Sequence, residues 1–225
     1  MSLRALSLAA TGGRSLLHQI DTIAGNIAHA NTIAYKRIRS TGATTETLFE
    51  QGKLKATQRE LDLAIEGEGF FRVRLPDDTV AYTRAGNLRL DDAGNLVTAD
   101  GHPLDPPVMI PQGFGRIVID PTGLVQGFDG EELQELGRIE LTRFANPAGL
   151  QPSGATLYRE TESAGERVDD APGMIRQGHL EQSTVDHLRE LADLVAAQRA
   201  FEINQRMMQA ADEILQSINN LRRKS

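Results

Sequence analysis

The sequence predicts an α+β protein, with N- and C-terminal helices pairing as a coiled coil and a β-rich central domain of short hairpins between them. Three observations predict it. Apolar residues recur every seven positions at both ends of the chain, the period shifts to two in the middle, and Gly, Pro, Asn and Asp punctuate that middle at short intervals.

The first element reads as one helix from Ser2 to Ala30. Leu6, Gly13, Ile20 and Ile27 form one seven-residue series and Ala9, Leu16, Ile23 and Ala30 the other, so they share one stripe. Arg14, Gln19, Asp21 and Asn26 lie off it. Gly12 and Gly13 each cost about 1 kcal/mol against Ala in a helix, which implies close approach by a neighbour or ordering only on assembly.

The last element reads as a helix from Ser183 to Arg222, with Leu194, Phe201, Met208 and Leu215 repeating every seven residues beside Ala197, Asn204, Ala211 and Ile218. Ser183 is the expected N-cap, and Arg222-Arg223-Lys224 sits where the helix dipole favours positive charge. At 1.5 Å per residue such a helix runs about 60 Å, and its stripe needs a partner. The N-terminal stripe supplies one.

Between them Phe71, Val73 and Leu75 alternate with Arg72 and Arg74, Pro76-Asp77-Asp78 turns, and Val80 to Arg84 returns. Further strands are expected at 88–90, 96–98, 117–119, 124–125 and 139–144, with acidic, glycine-bearing turns at 92–95 and 120–123. The polar segment 41–60 reads as a connector and 163–174 as a second crossing. The expected division is an N-terminal helix at 1–36, a connector at 37–60, a central β domain at 61–178 and a C-terminal helix at 179–225. Both helices then belong to one helical module.

Composition narrows the function. The 225 residues carry a net charge of −7, 24% charged and 4% aromatic residues and no Trp, a balance that lacks the basic excess and stacking platforms of nucleic-acid binders. No run approaches the roughly 20 apolar residues of a membrane span, and Arg4 with Ala5 to Ala10 makes too short a core for a signal peptide. With no Cys, disulfides and thiolate metal sites are excluded.

The chain shows no GxSxG, HExxH or GxxxxGK[ST]. Gly67-Glu68-Gly69 lacks the third glycine of a dinucleotide fingerprint and leads into a strand. Asp91, Asp92, Asn95 and Asp100 lack the spacing and closing Glu of a calcium loop. His187 and Glu190 make only half of a carboxylate–histidine metal site, and the other histidines are scattered. Glu60, Asp62, Glu66 and Glu68 offer acids for glycoside cleavage without an aromatic cleft. No enzyme activity, cofactor or metal is expected.

Residues 23–37, Ile-Ala-Gly-Asn-Ile-Ala-His-Ala-Asn-Thr-Ile-Ala-Tyr-Lys-Arg, resemble the signature of the flagellar rod and hook proteins through Asn26, Ala28, Asn31, Thr32, Tyr35 and Lys36. Gly25, His29 and Ala34 depart from that pattern, Ala34 standing where the family has glycine. Residues 62–71, 81–86 and 198–204 extend the resemblance along the chain and look most like the distal-rod type, with a shortened connector after the first signature. The resemblance implies a structural subunit of the bacterial flagellar basal-body rod, crossing the periplasm and transmitting torque.

It further implies export through the flagellar type III apparatus without a cleaved signal. The implied partners are copies of itself, other rod and hook subunits, the surrounding ring proteins and the export apparatus. The expected assembly interface is Leu6, Leu16, Ile20, Ile23, Ile27, Leu191, Leu194, Phe201, Met208, Leu215 and Ile218. The alternative is a non-polymerising β-domain binding module on an intramolecular helical stalk.

Overall fold

The computed structural model describes the backbone of all residues except Met1, Glu131, Asp170 and Ser225; the side chains of residues 1–9, 212, 215 and 217–225 are also outside the description. It is an α+β chain with a β-rich body and a helix at each end, α1 (Ser2–Ala28) and α2 (His187–Lys224). Two units separate. One holds residues 1–28, 38–48 and 185–225; the other holds residues 29–37 and 49–184.

In the first unit α1 and α2 run antiparallel and touch. At one end Gly13 lies against Asn204, where an added Cβ would stand 3.0 Å from the side-chain amide nitrogen. At the other, the Asn26 amide donates to Glu190 Oε2 at 3.1 Å. A residue without a side chain at Gly13 therefore lets the helices approach. Asp186, not Ser183, caps α2: its Oδ1 accepts the N–H groups of Leu188 and Arg189 at 3.1 and 3.2 Å. The helix start expected at Ser183 fails because the Gln182 and Thr184 N–H groups go to the Lys53 and Tyr35 carbonyls, which hold this stretch extended after the strand at 179–181.

Residues 38–47, expected as plain connector, form an antiparallel hairpin of Ile38–Thr41 and Thr44–Thr47. Its two-residue turn places Gly42 at φ +69, where glycine carries no Cβ penalty.

The second unit is built on a six-stranded antiparallel sheet in the order 151–152, 157–159, 80–83, 70–74, 141–144, 167–169. The central hairpin, Phe70–Arg74 with Val80–Thr83, is the one the period-two pattern predicts. A three-stranded sheet of 116–119, 124–129 and 132–138 and short pairs at 63–66/174–177 and 89–90/96–97 complete it. Leu63, Ile65, Phe71, Val73, Leu96 and Val125 are fully buried in the main core. A smaller core joins Phe70, Tyr82, Phe144 and Tyr158, whose rings meet edge to face.

The two acidic turns close by the same device. Asp91 Oδ1 accepts the N–H groups of Ala93 and Asn95, and Asp120 Oδ1 those of Thr122 and Leu124. The hydrogen bond from the Asn95 side chain, with those from the backbone, holds the Asp91 carboxyl below the usual carboxylate range. At Gly86 the chain passes so close to Leu63 that an added Cβ would lie 1.9 Å from the Leu63 carbonyl oxygen. Only glycine fits there.

Candidate assembly surface and signature cluster

The signature residues divide between the two units. Asn26, buried at the end of α1, anchors the chain beyond the helix: its Nδ2 donates to the Ile38 carbonyl at 2.7 Å and its Oδ1 accepts the Ile38 N–H at 2.9 Å. This reciprocal pair sets the hairpin's starting point against α1. Ala28 is the exposed last residue of the helix.

In the second unit Thr32 donates its N–H to the His29 carbonyl, and its hydroxyl lies 3.1 Å from His29 Nδ1. The His29 ring stacks on Tyr35 at 4.7 Å between centroids. Ala34 adopts φ +57, a left-handed conformation that costs a residue with a Cβ more than it costs glycine, and donates its N–H to the Glu181 carbonyl at 2.8 Å. Asn31 is exposed.

Lys36 ends in a charge cluster that sequence reasoning missed. Its Nζ donates to Glu181 Oε1 at 2.6 Å and to the Glu50 carbonyl, and both side chains of the ion pair are fully buried. The same carboxylate accepts the Gly52 N–H at 2.7 Å and Arg84 Nε at 2.8 Å. The remaining Arg84 donors reach the carbonyls of Ile65, Gly67 and Gly69. Two cations thus share one buried anion, and carbonyl dipoles take up the excess positive charge. Glu181 ties together residues 36, 52 and 84 from three separate stretches of the chain.

Burial, opposed mainly by Glu181, lowers the Lys36 ammonium to about 8. An ammonium that ionises less readily when folded releases its proton first in the folded chain, so the unfolded chain binds more protons from that value up to 10.5. Stability contributed by Lys36 therefore rises with pH across this window. Urea unfolding of the chain is expected to show this rise, and the Lys36→Met variant to lose it; identical pH profiles would contradict the cluster.

Along the helices the expected stripe is partly buried, although Glu190 and Asn26, both off it, are more deeply buried. Ile23 and Ala197 are buried and Leu16, Ile20, Ile27, Leu194, Phe201 and Met208 half-buried, whereas Leu191 is exposed; the side chains of Leu6, Leu215 and Ile218 lie outside the described residues. α2 also carries a second apolar row on its other side, in which Leu188 is 79%, Ile203 59%, Met207 64% and Ile214 61% exposed. Among the described residues no helix is long and apolar enough to cross a membrane.

Helices that expose large apolar side chains on a β-bodied chain suit a subunit that associates rather than one that turns over a substrate. Family models place the chain in such a class: "Flagellar hook protein FlgE/F/G D1 domain" matches residues 64–127, and "Flagellar basal body rod FlgEFG protein C-terminal" matches residues 176–221. The class is that of flagellar hook and rod proteins.

Flagellar basal-body rod protein FlgG of Borreliella burgdorferi is 37% identical over 98% of this chain and 99% of its own length. The FlgG proteins of Caulobacter vibrioides and Bacillus subtilis are 35% and 34% identical, each over 98% of this chain and all of their own length. The chain belongs to the flagellar basal-body rod protein FlgG family, whose members are structural proteins and not enzymes. The Borreliella burgdorferi alignment runs over 263 positions against 225 residues here, so that relative carries residues this chain lacks.

Proposed function

We propose that this chain polymerises through its terminal helices into the helical tube of the flagellar rod, that the tube transmits torque, and that the chain occupies the distal rod. The observation that carries this reading is the pair of apolar rows on α2. The half-buried row, with Leu16, Ile20, Ile23 and Ile27 opposite Leu194, Phe201 and Met208, holds α1 and α2 as a coiled coil, and Leu6, Leu215 and Ile218 extend the same series. The exposed row, which Leu191 borders, meets other copies. Each large apolar side chain so covered contributes about 1.5–3 kcal/mol, enough in sum to drive association at a growing tip. Copies joined head to tail by unlike surfaces propagate as a filament.

On this reading the helical assembly module comprises both terminal helices. The partners are copies of the chain, other rod and hook subunits, the rings around the rod and the export apparatus that delivers the chain without a cleaved signal. The 38–47 hairpin, with its two-residue turn, is the shortened form of the connector.

The test is Ile203→Asp combined with Met207→Asp. Because both positions are exposed, unfolding stability is expected to stay within about 0.5 kcal/mol of the parent. Rods and motility are expected to be lost. Normal motility in that double variant would refute the reading.

A further inference from the structure

The exposed side of α2 that includes Ile203 has a counterpart in the row along the outer side of α1. Ala10, Arg14, Leu17, Asp21, Ala24 and Ala28 follow one another at steps of four and three, and all are exposed. On α2 the positions Arg199, Ile203, Arg206, Ala210 and Glu213 do the same. Arg14, Asp21, Arg206 and Glu213 have no ion-pair or hydrogen-bond partner among the described residues.

Set antiparallel, the two rows complement each other at four successive positions. We infer that α1 of one copy docks on α2 of the next, with Arg14 opposite Glu213 and Asp21 opposite Arg206. In the same register Leu17 faces Ala210 and Ala24 faces Ile203. Opposite charges meet twice, and a large side chain meets a small one twice, the pattern that interdigitating helices require. Shifting one row by seven residues leaves at most four facing positions instead of five, and in one direction sets Arg14 against Arg206.

This contact rests on the reading of the chain as a self-assembling subunit and specifies its geometry. Within one chain α1 and α2 already run antiparallel, with Gly13 beside Asn204. The contact between copies keeps that direction but displaces α2 by roughly ten residues, about 15 Å along the axis. Two different faces are used, so the contact is heterologous. It passes from copy to copy without closing.

The absence of cysteine from the chain makes the register directly readable. In basal bodies isolated from cells carrying Ala24→Cys together with Ile203→Cys, mild oxidation is expected to give a ladder of covalent multimers, with each single variant giving none. The pair Ala24→Cys with Glu213→Cys, seven or more residues out of register, is expected to give no ladder. Independently, Arg14→Glu is expected to lower rod assembly about tenfold or more, and adding Glu213→Arg to restore it.

A ladder from the out-of-register pair, or no ladder from intact rods, would overturn the register while leaving the rod reading standing. Rods unaffected by Arg14→Glu, or not rescued by Glu213→Arg, would do the same. Intact rods that contain none of this chain would overturn both.

Discussion

Glu181→Ala is expected to destabilise the β body by about 3–5 kcal/mol, the range seen when one member of a buried ion pair is removed. The carboxylate is fully buried and is the shared acceptor for Lys36, Arg84 and the Gly52 N–H. Its loss leaves an ammonium and a guanidinium buried together, facing only carbonyl oxygens. Lys36 then loses its ion pair while keeping the Glu50 carbonyl, and Arg84 keeps its three carbonyl partners. Against a domain stability of about 5–15 kcal/mol this is a large fraction. Urea unfolding monitored by circular dichroism reads it directly, and a loss under about 1 kcal/mol would show that the cluster does not hold the body together.

Phe201→Asp is expected to remove the chain from the rod while leaving the β body folded. Phe201 sits one turn from buried Ala197 and one turn from Asn204, which lies against Gly13 of α1, so it belongs to the row between the helices. A carboxylate there must either lose its water or part the helices, and both cost more than the pair gains at that position. Leu194→Asp, one heptad earlier in the same row, is expected to act alike. The damage is confined because residues 29–37 and 49–184 form a separate unit with its own core. Limited proteolysis should therefore leave a resistant fragment of about the size of that unit, while motility is lost. Motile cells with this variant in their rods would contradict the assignment.

The parts of the fold that could be read from sequence were those with a period. The heptads gave both helices to within a few residues at each end, and the alternation at 71–75 gave the central hairpin. The hairpin at 38–47 has no such signal, because its Thr, Ser and Arg residues are polar on both faces and no core face imposes alternation. The strand Glu132–Arg138 was hidden for the same reason: it is an edge strand, largely exposed, and its charges are those that keep an edge from pairing further.

The charge cluster was illegible for a different reason. Lys36 and Glu181 are 145 residues apart, and nothing local distinguishes them from solvated surface charges. Only the register of 179–181 on 54–56, and the turn at Ala34, bring them together. Lys36 and Arg84 each lie in a block that carries the family resemblance, and a Lys and an Arg in largely apolar blocks ask for a buried acid. The exposed row on α2 was also illegible, since Leu188, Ile203, Met207 and Ile214 are interspersed with Arg, Glu and Gln and do not share the unbroken seven-residue repeat of Leu194, Phe201 and Met208.

The central claim, self-assembly through the terminal helices, is tested most directly by light scattering of the purified chain over a concentration series, with limited proteolysis at each point. The account predicts growth from monomer to long polymers as concentration rises, with the helical ends cut readily in the monomer and protected in the polymer. A compact monomer with protected termini at every concentration would contradict it.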